Sequence, residues 1–314
     1  MPDTAVLPPA IFLMGPTAAG KTALALKIHE RLPVDIVSVD AAQVYRGLDI
    51  GTAKPSLEER QRAPHRLIDI RDPSEVYSVA DFCADALQAM QEISAAGRIP
   101  LLVGGTLFYF RALQYGLPAL PSADPDTRAA LLQEAQALGW AAMHARLAQL
   151  DPKRAAAIHP NDPQRIQRAL EIIALTGKTA SGFVRSSTPQ LPFRVIKLAL
   201  YPNNRAWLHE RIAQRFQQML DLGFLEEAKA LFALPGLTPE LPSLRTVGYR
   251  QAGLFLSGKI NYHEFVDKAI AATRQLAKRQ LTWLRAEPDL WEIDCSVGVD
   301  SEAIMASLFA RLSL

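Results

Sequence analysis

Two cysteines in 314 residues, Cys83 and Cys295, fit neither a disulfide framework nor a CxxC metal pattern. The fold is therefore expected to hold without covalent staples, with both thiols reduced and buried in a cytoplasmic protein. No apolar run approaches the roughly 20 residues that a bilayer-spanning helix needs, so no membrane partner is expected. Residues 1–9 contain two adjacent prolines and no basic residue, which argues against a secretory signal. The chain also lacks a charge of one sign: 34 Lys and Arg stand against 32 Asp and Glu, for a net +2. Bulk charge does not announce a nucleic-acid binder, and such a role would need local clusters of Lys and Arg. Repeats and low-complexity tracts are missing as well. What remains is a chain that is 49% apolar, enough for a sizeable core in one large domain or two moderate ones.

Short apolar runs of the kind that buried parallel strands show occur at residues 10–14, 34–39, 66–70, 99–103, 194–200 and 290–294. Between them lie segments with helical spacing. The clearest, residues 79–95, places Val79, Phe82, Cys83, Ala86, Leu87, Met90 and Ile93 on one face, and Ser78 with Asp81 resembles a capping box. Alternating strands and helices predict an α/β fold, a P-loop NTPase-like parallel sheet with helices on both faces. From residue 122 to about 179 the pattern turns helical throughout. Asp162-Pro163 and Gly177 mark the start and stop of one helix, and a polar loop follows over 181–192. The expected organisation is a core of residues 1–120 and 190–314, interrupted by an all-helical insertion domain at 121–189.

One motif carries chemistry by itself. Gly15-Pro16-Thr17-Ala18-Ala19-Gly20-Lys21-Thr22 satisfies G-x-x-x-x-G-K-[ST] between a strand and a helix. Its glycines let successive amides point at an anion, and the helix start adds a partial positive charge. Lys21 supplies a cation and Thr22 a hydroxyl for Mg2+. The motif says phosphate without saying nucleotide. Asp40 ends the second strand, on the edge of a parallel sheet where ligands bind. A carboxylate there can be a metal ligand, a general base, or a plain helix cap.

The run Ser38-Val39-Asp40-Ala41-Ala42-Gln43-Val44-Tyr45-Arg46-Gly47-Leu48-Asp49-Ile50-Gly51-Thr52-Ala53-Lys54-Pro55 resembles the signature of tRNA dimethylallyltransferases, the IPP transferase family. Further segments fit the same family in order: the P-loop, Val103-Gly104-Gly105-Thr106, His159-Pro160-Asn161-Asp162-Pro163-Gln164-Arg165, Arg245-Thr246-Val247-Gly248-Tyr249-Arg250 and Thr273-Arg274-Gln275-Leu276-Ala277-Lys278-Arg279-Gln280. The resemblance implies transfer of a dimethylallyl group from dimethylallyl pyrophosphate to N6 of adenosine 37, beside the tRNA anticodon, with Mg2+ as cofactor. It implies that Gly15, Thr17, Ala18, Ala19, Gly20, Lys21, Thr22 and Arg215 hold pyrophosphate and that Thr22 ligates the Mg2+. By the same resemblance Asp40 is the general base, Thr106 positions the adenosine, and Arg215 clamps the leaving group.

The tRNA contacts so implied are Asp40, Ala41, Ala42, Gln43, Thr106, Arg128, Gln164, Arg165, Ile166, Gln167, Arg168, Arg245, Thr246, Val247, Gly248, Tyr249 and Arg250. Ala41 departs from the family, which commonly has serine there. No obligate protein partner is called for, and a monomer is expected. Three rivals share the P-loop. A kinase leaves residues 38–55 without a role, a prenyltransferase acting on free adenine nucleotides has no need of the helical insertion, and a non-enzymatic P-loop switch predicts no turnover of a pyrophosphate donor.

Overall fold

The computed structural model describes residues 7–183 and 191–312, so most of the loop expected at 181–192 lies outside the described residues. The chain divides into two compact units, one of Met1–Leu113 with Pro192–Leu314 and one of Gln114–Leu191. In chain order the first unit begins β1 (Pro9–Met14), α1 (Lys21–Arg31), β2 (Val34–Val39), α2 (Leu57–Arg62), β3 (His65–Arg66), α3 (Val79–Ala95), β4 (Ile99–Gly104) and α4 (Leu107–Tyr115). The second holds α5 (Pro125–Leu138), α6 (Trp140–Leu150), α7 (Pro152–Ala156) and α8 (Pro163–Thr176). The first then resumes with β5 (Arg194–Tyr201), α9 (Arg205–Asp221), α10 (Phe224–Phe232), α11 (Tyr249–Leu256), α12 (Tyr262–Arg285), β6 (Trp291–Asp294) and α13 (Ser301–Leu312).

The six strands form one parallel sheet in the order β3-β2-β4-β1-β5-β6. The α/β fold expected from the strand runs is the fold found. Sheet residues such as Ile11, Leu13, Ile36 and Leu101 are fully buried against α1 and α13. Burial on both faces is why these strands read as unbroken apolar runs. The register matters most for function. Met14 lies opposite both Gly104 and Ala199, and Val39 lies opposite Gly104. The residues that follow, Gly15, Asp40 and Gly105, therefore leave the sheet side by side at its carboxyl edge.

The strand expected at 66–70 is cut to His65–Arg66. Leu67 (φ 63°) and Asp69 (φ 58°) adopt left-handed conformations, which end an extended run. Asp69 instead turns its carboxylate to Lys54 Nζ (2.6 Å) and Arg60 Nη1 (2.7 Å).

The second unit is all helical among its described residues, with a core of its own formed by Leu131, Met143, Leu147, Ile166 and Leu170. Each helix start explains itself locally. Asp124 and Asp162 accept the amides of Thr127 and Arg165, and a proline follows each of them at the first helical position. Gly177, at φ 66°, ends α8 in the conformation that favours glycine. Among the described residues no helix is long and apolar enough to cross a membrane.

Candidate active site

The carboxyl edge of the sheet opens into a cleft of about 490 Å3 within the first unit. Its floor is the loop between β1 and α1, bent by Ala18 (φ 64°) and Gly20 (φ 95°). Thr17, Ala18, Gly20, Lys21 and Thr22 line the cleft. Gly15 and Ala19, expected at the phosphate site, are not among the residues that line it. A side chain at Gly15 would be tight, since a Cβ would sit 3.0 Å from Leu200 O. The Lys21 ammonium turns back onto the loop and donates to Gly15 O (2.9 Å) and Pro16 O (2.8 Å). Burial, and then the neighbouring Arg215, lower its pKa to about 8, while Asp40 pulls the other way.

Arg215 projects into the same cleft from α9 and makes no hydrogen bond or ion pair with any other described residue. Burial lowers its pKa, Asp40 opposes that shift and Arg211 adds to it. A desolvated, unpaired guanidinium beside an ammonium is a costly arrangement in an empty protein. It becomes favourable when a multiply charged anion enters. Thr22 presents its hydroxyl to the cleft without a hydrogen bond to another described residue.

Asp40 follows β2 on the same edge. Its Oδ1 accepts the amides of Ala42 (2.8 Å) and Gln43 (3.3 Å), so it caps a turn and not the helix start considered for it, since the next helix begins only at Leu57. That cap occupies one oxygen only, and the carboxylate still lines the cleft. Thr106 buttresses the turn: its Oγ1 accepts the amide of Ala41 (3.2 Å). Gln43 takes a hydrogen bond from Ser38 Oγ (3.0 Å) and donates to Thr52 O (3.3 Å) and Ala53 O (3.4 Å), tying residues 38–43 to 52–53. Glycine is obligatory at Gly104, where a Cβ would come within 2.0 Å of Val39 O.

Three residues given no role in the sequence reading shape this cleft, although Gln280 ends one of the matching segments. Arg211 Nε donates to Ala18 O (3.0 Å) and its guanidinium stacks 4.9 Å from the Trp207 ring, holding the strained corner of the loop. Gln280 joins Thr17 N to Gly105 O, at 2.9 Å on each side. Glu227 accepts the successive amides of Asp49 (3.0 Å), Ile50 (2.8 Å) and Gly51 (3.0 Å) and the Tyr249 hydroxyl (2.5 Å). Glu227 and Gln280 share a signal in the sequence, a polar residue on the apolar stripe of an amphipathic helix. Glu227 follows Phe224 by three, and Gln280 lies between Ala277 and Leu284.

The remaining candidates separate. Thr246, Val247 and Gly248 line the cleft, while Arg245 and Arg250 are exposed. Tyr249 is a correction: its side chain is fully buried, bonded to Glu227 and packed on Phe224, so it is a structural residue. In the second unit Gln164 and Arg165 are exposed, but Ile166 is fully buried in the core and its side chain offers nothing to a ligand. Arg128, still exposed, and the half-buried Arg168 share one buried partner. Arg128 Nε (2.9 Å) and Arg168 Nη1 (2.6 Å) meet the fully buried carboxylate of Glu171, which also accepts the Asp124 amide (2.9 Å). Gln167 Nε2 donates to Arg128 O (2.9 Å). Burial raises the Glu171 pKa, but the Arg168 hydrogen bond, the Asp124 amide and Arg128 together outweigh it, and the net shift is downward.

The family model described as IPP transferase matches residues 43–287. A tRNA dimethylallyltransferase of Thioalkalivibrio sulfidiphilus is 57% identical over 306 residues, which are 97% of this chain and 95% of the relative. Among solved structures, the full-length tRNA isopentenylpyrophosphate transferase of Bacillus halodurans is 38% identical with a TM-score of 0.72, covering 97% of each chain. A eukaryotic dimethylallyltransferase acting on tRNA is 27% identical with a TM-score of 0.79, covering 97% of this chain and 79% of its own.

Proposed function

We propose, from the premise that this chain belongs to the IPP transferase family, that its cleft joins the dimethylallyl group of dimethylallyl pyrophosphate to N6 of adenosine 37 in tRNA. The observation that carries the reading is the set of charges lining one cleft at the sheet edge: Arg215 without a partner among the described residues, Lys21 held only by two loop carbonyls, and the Asp40 carboxylate with one oxygen taken by its turn. As the allylic C1–O bond breaks, negative charge gathers on the departing pyrophosphate. Lys21, Arg215 and the loop amides stand where that charge develops. The adenine N6 attacks C1 and gives up one proton, which the free oxygen of Asp40 accepts. Thr106 keeps Asp40 in register by holding the Ala41 amide. The base has to leave the anticodon-loop stack to reach the cleft, at a cost of a few kcal/mol.

Mg2+ fits this donor set. The Thr22 hydroxyl lines the cleft without a hydrogen bond to another described residue, and Mg2+ commonly takes one or two protein oxygens with substrate phosphates supplying the rest. Thr22 would be its protein ligand, and the ion would add positive charge at the leaving group. We read the protein as a cytoplasmic monomer. The test is label transfer: protein, Mg2+, labelled dimethylallyl pyrophosphate and an anticodon stem-loop should yield label on the loop adenosine. Label entering only AMP, or ATP turnover without prenyl transfer, contradicts the reading.

Gln164, Arg165, Arg245 and Arg250 are the exposed side chains placed for RNA. Replacing Arg165, Arg245 or Arg250 singly by Ala should flatten the log affinity against log salt slope by about 0.7 for each phosphate no longer neutralised. Arg168→Ala tests the pair that shares Glu171. It should lower the thermal stability of the protein, having removed a partner of a buried carboxylate, and a salt slope that flattens with stability intact would make it an RNA contact instead.

A further inference from the structure

We propose that Gln280 is a positioning residue that sets the separation between the phosphate loop and the base-bearing turn; the proposal rests on the assignment of leaving group and base made above. The buried stripe of α12 is otherwise apolar at this end, with Ala277, Leu281 and Leu284 on either side. A primary amide on such a stripe is costly unless both of its ends are bonded. Both are bonded, and to the backbones of two different loops. Thr17 N can only donate and Gly105 O can only accept, so the orientation of the amide is determined: Oε1 faces Thr17 and Nε2 faces Gly105.

The sheet explains why such a bridge is needed. Strands β1 and β4 are paired up to Met14 and Gly104, and the ladder stops there. Beyond that point nothing in the sheet fixes how far the phosphate loop stands from the turn at Gly105, and the Gln280 amide takes the place of the next rung. The path continues through Thr106, whose hydroxyl accepts the Ala41 amide next to Asp40. Phosphate loop, amide, β4 turn and base thus form one hydrogen-bonded chain. The approach at Gly105 is close: a Cβ there would lie 2.4 Å from Gln280 Nε2. The bridge also occupies the Thr17 N–H, so that amide does not grip phosphate, and the bridge can be cut without removing a ligand donor.

The experiment compares Gln280→Met, which removes both hydrogen bonds at similar length, with Gly105→Ala, which pushes the amide away while leaving Gln280 in place. Each is made in the parent and in an Asp40→Asn background. Single-turnover prenyl transfer at saturating substrates and binding of inorganic pyrophosphate by calorimetry are measured. In the parent, transfer should fall about 10–10²-fold, as misplacement of reacting groups by an ångström does. Pyrophosphate affinity should move by less than about threefold, and in the Asp40→Asn background the further loss of rate should also stay below about threefold, because no base is left to align.

A Gln280→Met protein that transfers at the parent rate overturns the proposal. So does one that loses rate and pyrophosphate affinity in parallel, or that loses the same factor without Asp40. If Gln280→Met does not fold, Gly105→Ala decides on the same readings. A parent that transfers no prenyl group, or an Asp40→Asn protein at the parent rate, overturns the underlying assignment and the proposal with it.

Discussion

Replacing Asp40 by Asn should lower single-turnover prenyl transfer by about 10²–10⁴-fold in a protein that folds as before. The substitution separates the two duties of the side chain. Oδ1 caps the turn by accepting the Ala42 and Gln43 amides, and an Asn carbonyl oxygen accepts them equally. The other carboxylate oxygen, left free by the turn, becomes an NH2 group with no capacity to take a proton. Thermal stability and binding of inorganic pyrophosphate should therefore stay near those of the parent while the chemical step collapses. A parallel loss of stability and rate would instead return Asp40 to the role of a cap.

Lys21→Met should be as severe through a different group, with a loss of about 10²–10³-fold in the chemical step, the size seen when one preorganised donor to a developing anion is removed. It also carries a signature in pH. Burial lowers the Lys21 pKa from 10.5 to about 8 in the empty protein. Between those values the unfolded chain binds a proton that the folded chain does not, so this group makes the empty protein more stable as pH rises from about 8 to 10.5. Ligand affinity moves the opposite way. Pyrophosphate prefers the ammonium, and its affinity should fall as pH rises through about 8. Calorimetric titrations from pH 7 to 10 should show that decline in the parent and its absence in Lys21→Met. Cys295, the nearby thiol, does not confuse the window, since burial raises its pKa to about 11. A parent profile as flat as that of the variant would remove Lys21 from the phosphate grip.

The sheet was legible because parallel strands covered on both faces must be apolar along their whole length, and β1, β2, β4 and β5 announce themselves in that way. The run at 66–70 looked the same, but its strand stops at Arg66, because Leu67 and Asp69 take left-handed backbone conformations that apolar spacing does not encode. The P-loop was legible for a related reason: its function is written in the backbone, and the glycines that permit the bend are visible as letters. The motifs were less informative about which way a side chain faces. Ile166 and Tyr249 stand inside matching segments and are buried, while Arg165 and Arg250 one position earlier or later are exposed. Arg128 and Arg168 read as surface cations because their partner, Glu171, is recognisable only once α5 and α8 are folded together. Gln280 and Glu227 were readable in principle as polar residues on apolar helix stripes, though not for what they hold, since Thr17 lies 263 residues from the first and Gly51 176 residues from the second.

The last of these contacts limits how many anions the cleft can take. Three successive amides, those of Asp49, Ile50 and Gly51, converge as they do in loops that capture phosphate. Gly51 lines the same cleft as the P-loop, so the protein has built two amide cups at one site. The second is already filled by its own carboxylate, Glu227, delivered from α10. Inorganic pyrophosphate should accordingly titrate to one equivalent per chain. Glu227→Ala would empty the second cup, turning a structural brace into a vacancy that a second anion can claim.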